Sequence, residues 1–413
     1  MATVVLVGTL DTKGEEYAFL RERLRELGVD VILVDAGVLG EPKTPPDIPR
    51  EEVARAAGTS IETLAEAGDR GAAVGTMSRG AGEIVHRLHE EGRLDAVLGL
   101  GGSGGTSLVT GAMRSLPVGV PKIMVSTMAS GDTRPYVGAS DVTMMYPVVD
   151  ISGINRLSAR ILTNAAAAAA GMARAEAPQG AGEDRPLVGA TMFGVTTPAV
   201  EAARERLEEL GYEVLVFHAT GTGGRSMEAL MRDGFITGVL DLTTTELADE
   251  LVGGVLSAGP DRLQAAGELG LPQVVSLGAL DMVNFGPRET VPERFRNRRL
   301  YEHNPTVTLM RTTPEECAEL GRTIARKLSA ARGPTTLFVP RGGLSAIDRE
   351  GQPFHDPEAD GALFEALLEN LRGNVEVVES EANINDPALA REMAEKLDQN
   401  YRSWRNEKRE DTI

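Results

Sequence analysis

Arg21-Glu22-Arg23-Leu24-Arg25-Glu26-Leu27-Gly28 and Arg204-Glu205-Arg206-Leu207-Glu208-Glu209-Leu210-Gly211 are nearly one octapeptide written twice. The first follows a strand pattern, Val4–Gly8, and a turn, and precedes another strand pattern, Val31–Val34. The second follows Leu187-Val188-Gly189 and precedes Val214–Phe217. The apolar sets Tyr17, Leu20, Leu24, Leu27 and Val200, Ala203, Leu207, Leu210 share the i, i+3, i+7, i+10 spacing of a helical stripe packed on a sheet. Gly28 and Gly211 stand where a left-handed glycine ends a helix.

Working outward, Asp95–Leu100 matches Gly238–Leu242, and Pro121–Ser126 matches Pro272–Ser276. Strands alternating with helices at these distances predict parallel sheets covered on both faces. The expected fold class is therefore α/β: two doubly wound Rossmann-like lobes related by weak internal duplication. Ala173–Arg185 is polar, small and proline-containing and reads as the linker, giving lobes at 1–184 and 185–413. The second lobe adds strands at Thr335–Val339 and Val375–Val378, and a final helix from Pro387 to Ile413.

The chain has 413 residues, 42% of them apolar and 25% charged, which suits globular domains with their own cores. Its formal charge of −19 disfavours nucleic acid, and the one basic run, Arg294–Arg299, reads as a solvated turn or an interface. Cys317 is the only cysteine, so a reducing compartment is expected; its place in Thr313–Cys317 reads as a capped helix start rather than a catalytic thiol. The strand at Thr3–Gly8 begins without a basic leader, and no apolar run is long enough to span a membrane. A soluble cytoplasmic protein is the expectation.

In open parallel sheets, ligands collect beyond the C-terminal strand ends, where helix N-termini present N–H groups to anions. Three first-lobe loops lie there. In Gly8-Thr9-Leu10-Asp11-Thr12-Lys13-Gly14-Glu15, Thr12 and Glu15 stand in capping-box register, leaving Asp11 and Lys13 for a ligand. Gly99-Leu100-Gly101-Gly102-Ser103-Gly104-Gly105-Thr106-Ser107 precedes Leu108–Arg114 and reads as an anion cradle or a plain flexible loop. Its Gly99-x-Gly101-x-x-Gly104 spacing falls on a late strand with no acidic residue at the right distance beyond, so NAD is not expected. Ser126-Thr127-Met128-Ala129-Ser130-Gly131-Asp132-Thr133-Arg134-Pro135-Tyr136 offers hydroxyls, a carboxylate and a guanidinium, suited to phosphate and Mg²⁺ or to a capped surface turn. Asp141–Asp150 reads as a buried segment with Met144, Met145 and Tyr146 in the core.

Val5–Glu15, Gly99–Thr106, Pro121–Asp132, Asp150–Asn155, Gly278–Gly286 and His303-Asn304-Pro305 resemble motifs of the Tm-1-like ATP-binding family, catalogued as UPF0261. The resemblance spans nearly the whole chain. It implies the fold, ATP binding and a homodimer; some bacterial relatives stand alone and others are linked to a TIM-barrel partner.

The ATP-binding candidates are Gly8, Thr9, Asp11, Thr12, Lys13, Gly101, Gly102, Ser103, Gly104, Gly105, Thr106, Ser126, Thr127, Ser130, Gly131 and Asp132. Asp11 and Asp132 are the Mg²⁺ candidates, and Lys13, Asp132 and His303 the catalytic ones. In the second lobe, Asp241–Asp249 is hydroxyl-rich and acidic, suited to a polyol, an amine or a metal, or simply to capping a helix. Asp281 with Asn284, and His303 with Asn304, are expected to face the same cleft between the lobes. Three functions follow: an ATP-dependent enzyme acting on a small polar metabolite, a nucleotide-responsive binding protein without turnover, or an enzyme on a phosphorylated carbohydrate-acid without ATP.

Overall fold

A computed structural model describes residues 1–176, 185–373 and 375–410. The chain divides into two compact units, Met1–Ala181 and Gly182–Ile413. Most of the expected linker, residues 177–184, lies outside the described residues; Ala173 still belongs to a helix.

The first unit opens with β1 (Thr3–Gly8), α1 (Leu10–Glu26) and β2 (Asp30–Asp35). Three helices follow: α2 (Arg50–Ala56), α3 (Ile61–Ala67) and α4 (Arg70–Glu90). Then come β3 (Ala96–Gly101), α5 (Ser103–Met113), β4 (Lys122–Ser126), α6 (Arg134–Val137), β5 (Val142–Met145) and α7 (Arg156–Ala173). The sheet is parallel throughout, in the order β2-β1-β3-β4-β5. β1, β3 and β4 are apolar almost without interruption because helices cover both faces. Val5, Val97 and Met124 pack towards α4 and α5, whereas Val4, Leu98 and Ile123 pack towards α1 and α7.

The second unit contains β6 (Leu187–Met192), α8 (Thr197–Glu209), β7 (Glu213–His218), α9 (Thr222–Arg232), β8 (Gly238–Thr243), α10 (Glu246–Val252), α11 (Ala265–Leu269) and β9 (Gln273–Gly278). An antiparallel sheet follows from β10 (Met282–Phe285), β11 (Leu300–Asn304) and β12 (Val307–Arg311). The unit closes with α12 (Pro314–Ser329), β13 (Thr335–Pro340), α13 (Pro357–Asn370), β14 (Val375–Ser380) and α14 (Pro387–Glu410). Its parallel sheet runs β7-β6-β8-β9-β13-β14. Numbered within each parallel sheet, both therefore share the order 2-1-3-4-5, so β13, expected as an addition, is the counterpart of β5, and only β14 is added at the far edge. That shared order is what a repeated plan requires.

The repeated helices lie as their stripes predict. Tyr17, Leu20 and Leu24 are buried in α1, and Val200, Ala203 and Leu207 in α8. The stripe stops short at its last member, since Leu27 is exposed. Gly28 (φ 73°) and Gly211 (φ 94°) both adopt the left-handed conformation beyond the helix.

Two segments differ from expectation. The nine-residue glycine-rich stretch is not a flexible loop ahead of Leu108: Gly99 and Gly101 belong to β3, Gly102 is the whole turn, and α5 begins at Ser103. Asp141–Asp150 is an edge strand followed by an exposed turn, with Tyr146 and Val148 at the surface rather than in the core.

Candidate functional site

In the first unit the strand order reverses between β1 and β3, because β2 lies on one side of β1 and the remaining strands on the other. At such a switch point the two outgoing turns diverge and leave a crevice at the C-terminal strand ends. A cavity of about 440 Å³ opens there, within the size range of small-molecule sites.

Its floor is the turn from β3 into α5. The N–H groups of Ser103, Gly104 and Gly105 precede the first bond of the helix, donated by the Thr106 amide to the Gly102 carbonyl at 2.8 Å, and no side chain caps them. All three residues line the cavity. The glycines here have separate roles. A methyl group at Gly101 would lie 3.0 Å from the Gly105 Cα, so this residue lets strand and helix approach. A methyl at Gly104 would meet nothing nearer than an Arg70 guanidinium nitrogen at 3.7 Å, so packing does not require that glycine.

Arg70 is the first residue of α4, exposed, and makes no ion pair among the described residues. Its cation therefore stands near the positive ends of two helices, its own and α5. An anion in the cavity would relieve that arrangement. The opposite wall is apolar, with Val38 and Leu39 after β2, Leu64 from α3, and Val74 from α4.

The β1–α1 turn supplies Thr9, Asp11, Thr12 and Lys13 to the same cavity. The expected capping box is absent: α1 starts at Leu10, kinks at Lys13 (φ −122°, ψ 16°), and the Thr12 hydroxyl bonds the Thr9 hydroxyl at 2.7 Å. Asp11 Oδ2 accepts from the Leu39 and Gly40 amides at 3.0 and 3.2 Å, tying down the segment after β2. Its Oδ1 is buried and has no hydrogen-bond partner among the described residues. Lys13 Nζ donates to the Ile151 carbonyl. Behind them Asp35 accepts from the Leu10 and Gly37 amides; burial pushes its carboxyl above the usual range despite those bonds, and Asp11 adds to the rise.

Other sequence candidates lie elsewhere. Gly8 makes room for Tyr17, whose hydroxyl would sit 2.0 Å from a methyl there. That hydroxyl donates to the Val7 carbonyl at 2.5 Å and accepts from the Leu100 amide at 2.9 Å, pinning β1 to β3. Thr106 and Ser126 are fully buried and bond each other at 2.6 Å. Ser126 also caps the single turn Thr127–Ser130. Thr127, Ser130, Gly131 and Asp132 do not line the cavity. Asp132 is exposed and paired with Arg134 at 2.7 Å, which holds its carboxyl down at about 2. Asp11 and Asp132 are therefore not brought together as a metal pair. Among the described residues, no group of three or more His, Cys, Asp or Glu is placed to hold a metal ion.

The sequence reading missed the lining residues that come from after β2 and from α3 and α4, among them Val38, Leu39, Leu64, Asp69, Arg70 and Val74. A signal existed for one of them. A basic residue in the first turn of a helix opposes the dipole, which singled out Lys13 and applies equally to Arg70 after its Asp69 cap.

In the second unit, Asp241–Asp249 is not an exposed loop, and Thr245 does not cap the α10 helix that follows it. Thr243, Thr244, Thr245, Glu246 and Asp249 are fully buried. Asp241 and Glu246 grip the buried Arg262, with Nη2–Oδ1 and Nε–Oε2 distances both 2.6 Å. Glu246 Oε1 accepts from the Gly221 and Gly224 amides at 2.7 and 3.1 Å, at the glycine-rich start of α9. A carboxylate of the chain itself thus occupies that helix N-terminus. Asn284 is held by Asp249 at 2.9 Å, and Asp281 belongs to a buried group with Arg311, Asp348 and Asp360. His303 and Asn304 are exposed at the end of the β11–β12 hairpin. Cys317 is buried one turn into α12, behind a Thr313–Glu316 capping box, and burial pushes its thiol up to about 11, away from nucleophilic use. In Arg294–Arg299, Arg298 pairs with Glu316 at 2.7 Å and Arg294 stacks on Phe295, so this is a partly engaged turn.

These features define a doubly wound α/β protein with a crevice at its first switch point, lined by the uncapped start of α5. The chain belongs to the family described as "Uncharacterised protein family (UPF0261)": its N-terminal domain matches residues 2–178 and its C-terminal domain residues 185–401. A UPF0261 protein of Clostridium tetani is 57% identical over 95% of this chain and 98% of its own length. The ToMV resistance protein Tm-1(GCR237) of Solanum lycopersicum is 45% identical over 89% of this chain, but that match covers only 52% of the tomato protein. Among solved structures, a Methanocaldococcus jannaschii UDP-GlcNAc 2-epimerase in complex with UDP-GlcNAc and UDP aligns at 9% identity over 67% of this chain and 83% of that one. Its TM-score is 0.21, which carries no argument about the site. Among the described residues no helix is long and apolar enough to cross a membrane.

Proposed function

We propose that the first-unit cavity binds ATP, with the phosphates on the α5 amides and Arg70 and the base against Leu39, Leu64 and Val74. The observation that carries this reading is the convergence of three uncapped N–H groups and an unpaired guanidinium in one cavity with an apolar wall. Charge-assisted bonds from such groups to phosphate oxygens are about twice as strong as neutral ones. Lys13 adds a second cation at the mouth of the β1–α1 turn. Mg²⁺ fits Asp11 Oδ1, the buried and unpartnered carboxylate oxygen of a lining residue; Asp35 Oδ2 is likewise unpartnered but belongs to a residue outside the lining. The ion would neutralise phosphate charge when bound, as Mg²⁺ does with one or two carboxylates plus substrate oxygens.

The test is calorimetry with ATP, ADP, AMP and adenosine. Affinity is expected to rise with phosphate number, and to fall at least tenfold in Arg70→Ala and Gly104→Val. ATP affinity unchanged in both variants would remove the reading.

A second step, ATP-dependent transfer to a small polar metabolite, is favoured by Asp69 and Asp150, which line the cavity with Asp11 and which phosphate binding alone does not need. Incubation with Mg·ATP and a metabolite pool separates the two. Phosphorylated or adenylated products support transfer; tight ATP binding with no product across the pool supports a nucleotide-responsive binding protein.

A further inference from the structure

Resting on that reading, we infer that residues 58–72 form a flap over the cavity, closed when Arg70 meets the phosphates of a bound nucleotide.

The segment is a wall of the cavity with little attachment of its own. From Glu62 to Ala72 every residue except Leu64 is exposed, and Ile61 is the only buried side chain of α3. Yet Leu64, Ala65, Gly68, Asp69 and Arg70 all line the cavity. A ligand wall with so few buried apolar contacts sits at the low end of local stability.

Its two ends are built to turn. Gly58 (φ 75°) and Gly68 (φ 65°) bracket α3 in the left-handed region, and a methyl group at either would touch nothing within 4 Å. Glycine is needed at both for backbone conformation and not for packing. Beyond the second hinge, α4 is exposed through Ala72 and first anchored at Ala73.

Electrostatics supplies the trigger. Without a ligand, the Arg70 cation approaches the N-terminus of α5 as one positive group approaching another, and no described carboxylate pairs with it. A polyphosphate between them reverses the sign, so Arg70 is drawn onto the anion and pulls the segment after it. Leu64 then covers the base. The phosphate chain, not the nucleoside, is the part of the ligand that closes the flap.

Hydrogen exchange on the full chain tests this, with calorimetry in parallel. Saturating Mg·ATP is expected to slow exchange of amides in 58–74 at least tenfold, whereas saturating adenosine leaves them unchanged. In Arg70→Ala, saturated with ATP, the α5 turn at 102–107 stays protected while 58–74 exchanges as in the free protein; Arg70→Lys restores part of the protection. ATP binding by calorimetry with 102–107 protected and 58–74 unaltered in the parent protein would overturn the flap and leave the nucleotide site standing. Absence of any heat with ATP would remove both.

Discussion

Glu246→Ala should cost the second unit about 4 kcal/mol, within the range for breaking a buried pair and leaving the other charge behind. The glutamate is fully buried and does two things. Oε1 accepts from the Gly221 and Gly224 amides, and Oε2 accepts from Arg262 Nε. Truncation leaves two donors at the start of α9 without an acceptor, each a loss of roughly 1–3 kcal/mol. Arg262 retains Asp241 at 2.5 Å and the more distant Glu228 at 3.6 Å, so its charge stays partly matched. The contributions overlap and do not add in full.

The same variant also asks whether that site is an anion site. Removing the carboxylate opens a pocket shaped for one, since a methyl at Gly224 would lie only 2.1 Å from Glu246 Oε2. Urea unfolding of the variant in acetate should recover part of the loss, while chloride at equal ionic strength should not. A Leu207→Ala control, which empties core volume, should show no acetate preference. A loss below about 1 kcal/mol, or equal response of both variants to acetate, would refute the claim that a carboxylate acts here as ligand to a helix N-terminus.

Further predictions concern pH, the switch point and the cavity. Burial pushes the Asp249 and Asp360 carboxyls up to about 7, while the unfolded chain ionises near the ordinary value of about 4. Between those values the folded state holds protons that the unfolded state has released, so stability is greatest at the acid end and falls as pH rises towards 7. Urea midpoints at half-unit steps from pH 5 to 8 should therefore decline and level off, and Asp360→Asn should flatten the slope between pH 5 and 6 by up to about 1.4 kcal/mol per pH unit. Tyr17→Phe removes the hydroxyl bridging β1 and β3 and strands the Leu100 amide, for an expected loss of about 1–3 kcal/mol by thermal unfolding. Asp132→Ala should leave ATP affinity within twofold by calorimetry, because its carboxylate is exposed and committed to Arg134 away from the cavity lining.

The parallel sheets were legible because buried strands carry their signature locally. Val4–Gly8 and Ala96–Gly101 are apolar runs ending in glycine, and the repeated octapeptides fixed the phase of two helices. The site was half legible for the same reason: Lys13, Asp11 and the Gly101–Gly105 turn stand next to strand ends visible in sequence. The other half comes from α3 and α4, far along the chain from both turns. Nothing local says that Arg70 reaches Gly104. Composition also misled where burial decided the outcome. Thr243–Asp249 is as polar as a surface loop, but Arg262, Asn284 and the α9 amides satisfy its carboxylates within the fold.

The two units solve one local problem with different loops, and that difference explains why only one glycine turn is open. In each, a carboxylate ties down the amides that follow the second strand. In the first unit it comes from the first-strand turn, as Asp11 on the Leu39 and Gly40 amides. In the second it comes from the third-strand turn, as Glu246 on the Gly221 and Gly224 amides. Because Asp11 does that work, the third-strand turn of the first unit needs no carboxylate, and Ser103–Gly105 keep their N–H groups uncapped beside Arg70. Glu246 cannot be offered to an external ligand without breaking its pair with Arg262. An acidic side chain introduced at the first turn, as in Ser103→Glu, should then close the open site as Glu246 closes the other: ATP binding is lost while thermal stability holds or rises. Retained ATP affinity in that variant would show that the phosphates do not lie on these amides.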